Sequence, residues 1–587
     1  MPSLPTVELD VRAIPFSTRG AWLNISPVVG LHEYAEDLHL VAHRNGHRNG
    51  LTPVLRLQPW RDGAVVPAMT SATSSVLTWR DERGSVEAVF DGPELVRLRG
   101  TGLGLRLEDA AATLTPFSGT YLYLDAATGD HVFTSYETGL RYRVTVLSAH
   151  CEVDGAGALG TAPRALTLGG DGGPWEVAVE ELRTARAALV VSSTFDEALE
   201  GAEARFAAYL ERVAPWRDDS TPAAALAAYV LWSATVAPEG FLRRESVLMS
   251  MHWMDKLWSW DHCFNALALA QGEPELAIDQ FLAPFDHQTD EGALPDSISH
   301  SELLYNYVKP PIHGWAFEEL RTLLPATDTE LLVQVRDRLA AWTRFWLDHR
   351  RAPGHALPYY QHGNDSGWDN STTFDADRVI ESPDLAAFLV LQLDALAGLE
   401  EQLGDAAGAA AWRAESEQLL DALMTLWGGD AFVARSASTG EASSTSSLLN
   451  LLPLVLGDRL PDDVRASLRE RLAEHMTTWG PATEPPTSPH YEADGYWRGP
   501  IWAPSTVLIE NGLRRGGDTE TADDVSERFR RLCETSGFAE NFDALTGEGL
   551  RDRAYTWTAS AYLRFAAASV QRKAVDLGAL SGSISGR

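Results

Sequence analysis

Basic residues are scarce in this chain. Lys and Arg number 48 against 82 Asp and Glu, for a net charge of −34. Such a surface repels phosphate backbones and anionic headgroups, which argues against nucleic acid or a membrane as partner. The excess acid reads as a solvated surface that aids solubility. Cysteine is scarcer still. Cys151, Cys263 and Cys533 lie far apart without paired spacing, so no disulfide framework or zinc motif follows. There is no HExxH or paired-His spacing, and Asp286, His287 and His300 read as satisfied polar groups. No metal and no cofactor is expected. Ser366 and Ser371 lack a nucleophile elbow, and Gly169–Gly173 lacks the Lys-Ser/Thr of a phosphate loop and reads as a turn. No apolar stretch approaches the roughly 18 residues of a membrane span. The N-terminus has no basic region followed by an apolar run, so the expected compartment is the cytoplasm.

What is present is a long chain of 587 residues with 45% hydrophobic residues, enough for two to four domains. Residues 1–195 alternate in short runs between Gly, Asp and Pro turns, for example Val54–Gln58, Ser85–Phe90, Leu103–Glu108 and Trp175–Glu180. This pattern predicts an antiparallel β-sandwich, read as a support domain. Residues 196–221 read as a helical linker, with Leu199, Ala202, Phe206, Tyr209, Leu210 and Val213 on one face. From 222 to 572 the chain turns to Ala/Leu-rich helices, twelve segments in six pairs. Together these predict a multidomain chain, the β-sandwich followed by an all-α (α/α)6 toroid barrel. Residues 573–587 are expected to be a flexible tail.

The loops of the helical region are long and rich in Trp, Tyr, His, Asp and Gly, as functional loops are. Five stand out: His252–Asp261; Gly292–Asp296 with Tyr305–Pro311; Tyr359–Asp375; Tyr496–Trp502; and Phe538–Gly549. Trp beside an acid recurs at Trp260-Asp261 and Trp368-Asp369. An aromatic face with a neighbouring carboxylate suits a sugar ring and its hydroxyls. The 19 Trp fit this reading, although core packing is the other use for them. Glycoside hydrolysis needs one carboxyl on each side of the scissile bond. Asp369 and Glu540 are the candidate pair, since each lies in a loop with Gly or small residues and aromatics nearby. Spacing alone leaves Asp365, Asp375, Asp543 and Glu548 as competitors.

Trp258-Ser-Trp-Asp261, Ser366-Gly-Trp-Asp-Asn-Ser371, Tyr496-Trp-Arg-Gly-Pro-Ile-Trp502 and Glu540–Gly549 resemble glycoside hydrolase family 63, a group of six-hairpin enzymes that includes bacterial α-glucosidases and mannosylglycerate and glucosylglycerate hydrolases. The likeness spans about 250–565. It implies an (α/α)6 barrel and an inverting exo-acting hydrolase of a small α-glycoside, first of all an α-glucoside. Asp369 would be the general acid and Glu540 the general base. Trp258, Trp260, Asp261, Lys309, Gly367, Trp368, Asn370, Tyr496, Trp497, Arg498 and Trp502 are the candidate substrate-binding residues. The glycerate-cleaving members have Gln where this chain has Lys309, a change of charge that weakens the inference to a glycerate substrate. The alternatives are an α-mannosidase, an α-L-rhamnosidase or a phosphorylase on the same barrel, or a non-catalytic sugar-binding protein. Retention of both carboxyls argues against the last. The expected partner is a small carbohydrate, and the sequence leaves the oligomeric state open.

Overall fold

The structure, a computed structural model, describes residues 7–44, 50–443 and 445–584, with side chains through residue 574. The chain divides into two compact units. One comprises Met1–Arg212, Ala228–Lys256 and Ser299–Glu302; the other comprises Val213–Ala227, Leu257–Ile298 and Leu303–Arg587.

Among the described residues, the first unit is built on two antiparallel sheets, one of nine strands and one of seven. The expected strands are all present, and others lie between them, including Leu23–Val29 and Leu95–Thr101. Leu23–Val29 escapes a sequence reading because Pro27 interrupts it. Proline cannot donate to a ladder, and the register with Tyr34–Ala42 shifts between Ser26 and Val28, where Pro27 sits. Helix α1 (Phe195–Val213), expected as a linker, seats Phe195 and Ala198 against Val89 and so packs onto the first unit.

The second unit is helical. In chain order its region holds α2 (Ala224–Ser233, which also enters the first unit), α3 (Asp261–Leu269), α4 (Pro274–Leu282), α5 (His313–Leu323), α6 (Thr329–Arg344), α7 (Pro383–Leu403), α8 (Ala406–Met424), a 3-10 segment Leu448–Arg459, α9 (Asp462–His475), α10 (Ala503–Arg515), α11 (Thr519–Ser536) and α12 (Thr556–Ile584). Neighbour packing runs α3–α5–α7–(448–459)–α10–α12 and returns from α12 to α3, which closes an inner ring of six. The outer helices α4, α8, α9 and α11 pack on α3, α7, the 3-10 segment and α10, and α6 packs on α7. This is the (α/α)6 barrel.

Three local outcomes differ from the sequence reading. The inner segment at 448–459 is 3-10, because Pro453 lacks the N–H of an α-helical ladder and Gly457 leaves the helical region at φ 57°, ψ −124°. Ser382-Pro383-Asp384 reads as an N-cap, a proline at the first helical position and an acid in the first turn of α7, yet the Ser382 hydroxyl donates to Asp384 instead of capping the backbone. The last helix runs to Ile584, through most of the expected tail, and residues 585–587 lie outside the described residues. None of the described helices is long and apolar enough to cross a membrane.

Candidate active site

The inner helices begin at the loops singled out by sequence. Asp261 is in the first turn of α3, Trp502 is the N-cap of α10, and α12 starts at Thr556, shortly after the Glu540 hairpin. Short sheets and bridges bring these loops together. Leu257–Trp258 pairs with Ser297–Ile298, which pairs with Leu303–Leu304, so the Trp258 and Asp296 loops are joined side by side. Ile501 and Phe542 exchange both backbone bonds, at 2.8 and 3.0 Å, and tie the Tyr496–Trp502 segment to the Glu540 hairpin Asn541–Phe542/Gly549–Leu550.

The Asp369 loop is shaped by a 3-10 turn, Gly363–Ser366, that ends on Gly367 at φ +72°. Asp365 is buried and wholly engaged. It accepts from Val308 N at 3.1 Å, and from Arg350 Nη1 and Gln361 N at 2.8 Å each. Asp375 pairs with Arg498. Asp543 accepts from Leu545 N and Thr546 N at 2.7 and 2.9 Å and so caps its own turn. These bonds give structural work to three of the four competing acids. Asp369 is half-buried and has no such backbone cradle among the described residues.

Two of the predicted sugar ligands, Asn370 and Arg498, also tie the loops to one another. Asn370 clamps the next loop at two points, donating to Gly495 O at 3.0 Å and accepting from Trp497 N at 3.0 Å. Arg498 Nε donates to Asn370 O at 2.7 Å. The aromatics form a wall that packs against itself. Trp497 stacks on Trp502 at 4.0 Å and 6°, Trp368 lies 4.5 Å from Trp497, and Trp260 sits 6.4 Å from Trp497 and 6.0 Å from Trp557. Trp260, Trp368, Trp497 and Trp502 are all buried, while Trp258 keeps part of its surface exposed.

Glu540 is 1% exposed. Its Oε1 accepts from the Tyr496 hydroxyl at 3.1 Å, and its Oε2 has no hydrogen-bond partner among the described residues. Tyr496 adopts φ +63°, a strained conformation for so large a side chain, locked by Trp502 Nε1 donating to its carbonyl at 2.9 Å. Asp369 acts electrostatically on Asp261 and on Glu540, Asp296 acts on Asp369 and Asp261, Lys309 acts on Asp261 and Asp369, and Asp552 acts on Glu540. Asp296, Asp552 and the buried Tyr555 were not read from sequence as site residues. Asp296 closes a motif already noted, so its signal was present, whereas Asp552 and Tyr555 follow the Glu540 hairpin and carry no local signature.

Burial is the main cause that raises these carboxyls. It lifts Glu540 to about 8, helped by Asp552 and opposed by the Tyr496 hydrogen bond and Arg551. It lifts Asp261 to about 8, opposed by Lys309. Asp369 is also raised by burial, with Lys309 pulling it back and Asp296 adding to the rise. The two candidate catalytic groups are therefore both raised. The Asp369 charge adds slightly to the rise of Glu540.

A stability consequence follows. Glu540 titrates near 8 in the fold against an ordinary 4.5. Its neutral form is the favoured one, so its contribution is intact below the ordinary value and is lost as pH rises through 8. Glu540→Gln keeps the shape without the charge. Its Tm is expected to exceed that of the parent at pH 9, with the difference shrinking toward pH 4; calorimetry across that range checks it.

His262, Cys263 and His313 form a group of donors all within 4.8 Å of one another, under the Trp258–Asp261 turn. Burial lowers both imidazoles, His262 to about 3, and the rings pack at 5.2 Å from each other. His313 packs edge-on to Phe285 at 5.3 Å.

Comparison with known proteins places this geometry. Residues 254–558, just over half of the chain, match the family described as mannosylglycerate hydrolase MGH1-like glycoside hydrolase domain. The mannosylglycerate hydrolase of Thermus thermophilus is 26% identical over 393 residues, 52% of this chain and 92% of that protein. The glucosylglycerate hydrolase of Mycolicibacterium hassiacum is 32% identical over 126 residues, 20% of this chain and 28% of that protein. Among solved structures, a bacterial glucoamylase complexed with acarbose aligns over 97% of this chain and 98% of its own at TM-score 0.61 and 10% identity, a likeness of fold.

Proposed function

The chain belongs to the MGH1-like glycoside hydrolases of family 63, and from that premise we propose that it is an inverting exo-hydrolase of a small α-linked glycoside, with Asp369 as general acid and Glu540 as general base. The observation that carries the reading is the pair itself. Two carboxyls from separate loops of one barrel interact electrostatically, and Glu540 keeps Oε2 unpartnered while Tyr496 holds Oε1. In the reaction Asp369 gives its proton to the glycosidic oxygen as the bond to the anomeric carbon breaks. Glu540 takes a proton from the water that adds to the opposite face of that carbon. The product is the free sugar of inverted configuration and the released alcohol.

The relatives' names point to glycosides of glycerate, with mannose in one and glucose in the other. Glucose is the first choice of glycon and mannose the second. A panel of α-glucosylglycerate, α-mannosylglycerate and α-linked glucose disaccharides, read by release of reducing sugar, tests this. Turnover of at least one α-glucoside is expected. Turnover of the mannoside alone would move the assignment to mannose. No hydrolysis of any of them by folded protein would overturn the reading.

A further inference from the structure

Lys309 lies in the segment just before α5 and is 5% exposed. Its ammonium is 3.0 Å from Asp296 Oδ1 and donates to the carbonyl of Asn364 at 2.8 Å. Asn364 belongs to the turn that carries Asp369. The backbone of Gly363 lies directly against Asp369, where an added Cβ would come within 2.2 Å of the Asp369 carbonyl oxygen. The residue before Lys309 grips the same turn, Val308 N donating to Asp365 Oδ1 at 3.1 Å. Arg350 and the backbone of Gln361 hold the other oxygen of Asp365. An ammonium has three N–H donors, and the two contacts engage it with the protein.

We propose that Lys309 is a positioning residue for the proton donor: it fastens the Asp369 turn to the Asp296 loop and holds a positive charge among the carboxyls of the site. The inference rests on Asp369 being that donor. The groups that face Asp369 are Lys309, Asp296, Asp261, Glu540, Tyr496 and, in its own loop, His362. Lys309 favours the ionised form of Asp369, and Asp296 opposes it. The electrostatic environment keeps Lys309 protonated: burial lowers its proton affinity, but Asp296, Asp369 and Asp261 raise it above the ordinary Lys value. The arrangement sets the proton affinity of the donor through its balance of charge and fixes its direction through the turn.

The test is a sign test. Lys309→Gln removes the charge and keeps a donor for Asn364. It is expected to move the limbs of the pH–kcat profile upward by about one unit or more, the scale of losing an adjacent opposite charge. It should lower kcat more than it changes KM. Asp296→Asn removes the opposing charge and is expected to move the limbs downward. Lys309→Arg should leave them near the parent's. The rates are taken with whichever α-glycoside of the panel the parent hydrolyses. Infrared titration of the protonated-carboxyl band, parent minus Asp369→Asn in each background, reads the same signs without turnover. It therefore stands even if none of those glycosides is hydrolysed. Limbs and band unmoved in Lys309→Gln and Asp296→Asn would overturn the proposal. So would a rise in KM at constant kcat in Lys309→Gln, which would make Lys309 a sugar ligand.

Discussion

Asp369→Asn is expected to lower kcat on an α-glycoside with an alkyl or sugar leaving group by about 10²–10⁴-fold, the usual weight of general acid catalysis. A 4-nitrophenyl α-glycoside should lose much less, because its leaving oxygen departs as a weakly basic phenolate and needs little help from a proton. Glu540→Gln is expected to fall by a similar factor on both substrates, since the attacking water must be deprotonated whichever group leaves. The contrast between the two variants assigns the roles. Equal losses in Asp369→Asn on both substrates would remove Asp369 as the acid. Recovery of Glu540→Gln on the aryl glycoside would reverse the assignment. Asp365→Asn makes a different comparison: its carboxyl holds Val308, Arg350 and Gln361, so a loss of activity there should come with a loss of Tm.

Gly367→Ala should be nearly as damaging, for a mechanical reason. Gly367 sits at φ +72°, and a Cβ there would come within 2.5 Å of Trp260 Cζ2 and 2.7 Å of Trp260 Cε2. Trp260 is buried between Phe264, Trp497 and Trp557, so its ring cannot swing away. The left-handed backbone alone costs about 1–2 kcal/mol for an L-residue, and the clash adds to it. The relief open to the chain is to move the turn that carries Asp369. A displacement of about 1 Å can cost roughly a hundredfold in rate, so kcat should fall by about that factor, with a lower Tm. Trp260→Leu in the Gly367→Ala background should recover part of the lost Tm, a non-additive pair expected only if the clash is real. Additive losses would contradict the packing account.

What could be read before folding was whatever the local pattern carries. The alternating runs Val54–Gln58 and Ser85–Phe90 are examples, found within the strands Thr52–Arg61 and Ser85–Gly92. The five loops could be picked out because polar, aromatic and Gly-rich runs between apolar periodic segments have no other ready use. The pairing of Asp369 with Glu540 could be proposed, but their shared rise in proton affinity could not, because burial and neighbouring charge arise from four loops meeting. Asp552 beside Glu540 and Asp296 beside Lys309 entered for the same reason. With Trp497 stacked on Trp502 at 4.0 Å and tilted against Trp368 at 4.5 Å, the three buried rings make a wall with little free face. In the first unit, Leu23–Val29 was hidden by Pro27, whose cost the sheet absorbs with a register shift.

The most direct test of the central claim is a proton NMR time course of hydrolysis of an accepted α-glycoside, at enough enzyme to outrun mutarotation. Attack by water from the face opposite the leaving group predicts that the β-anomer of the sugar appears first, with the α-anomer growing in only as mutarotation proceeds. Early release of the α-anomer would mean retention, and would contradict both the inverting mechanism and the role given to Glu540.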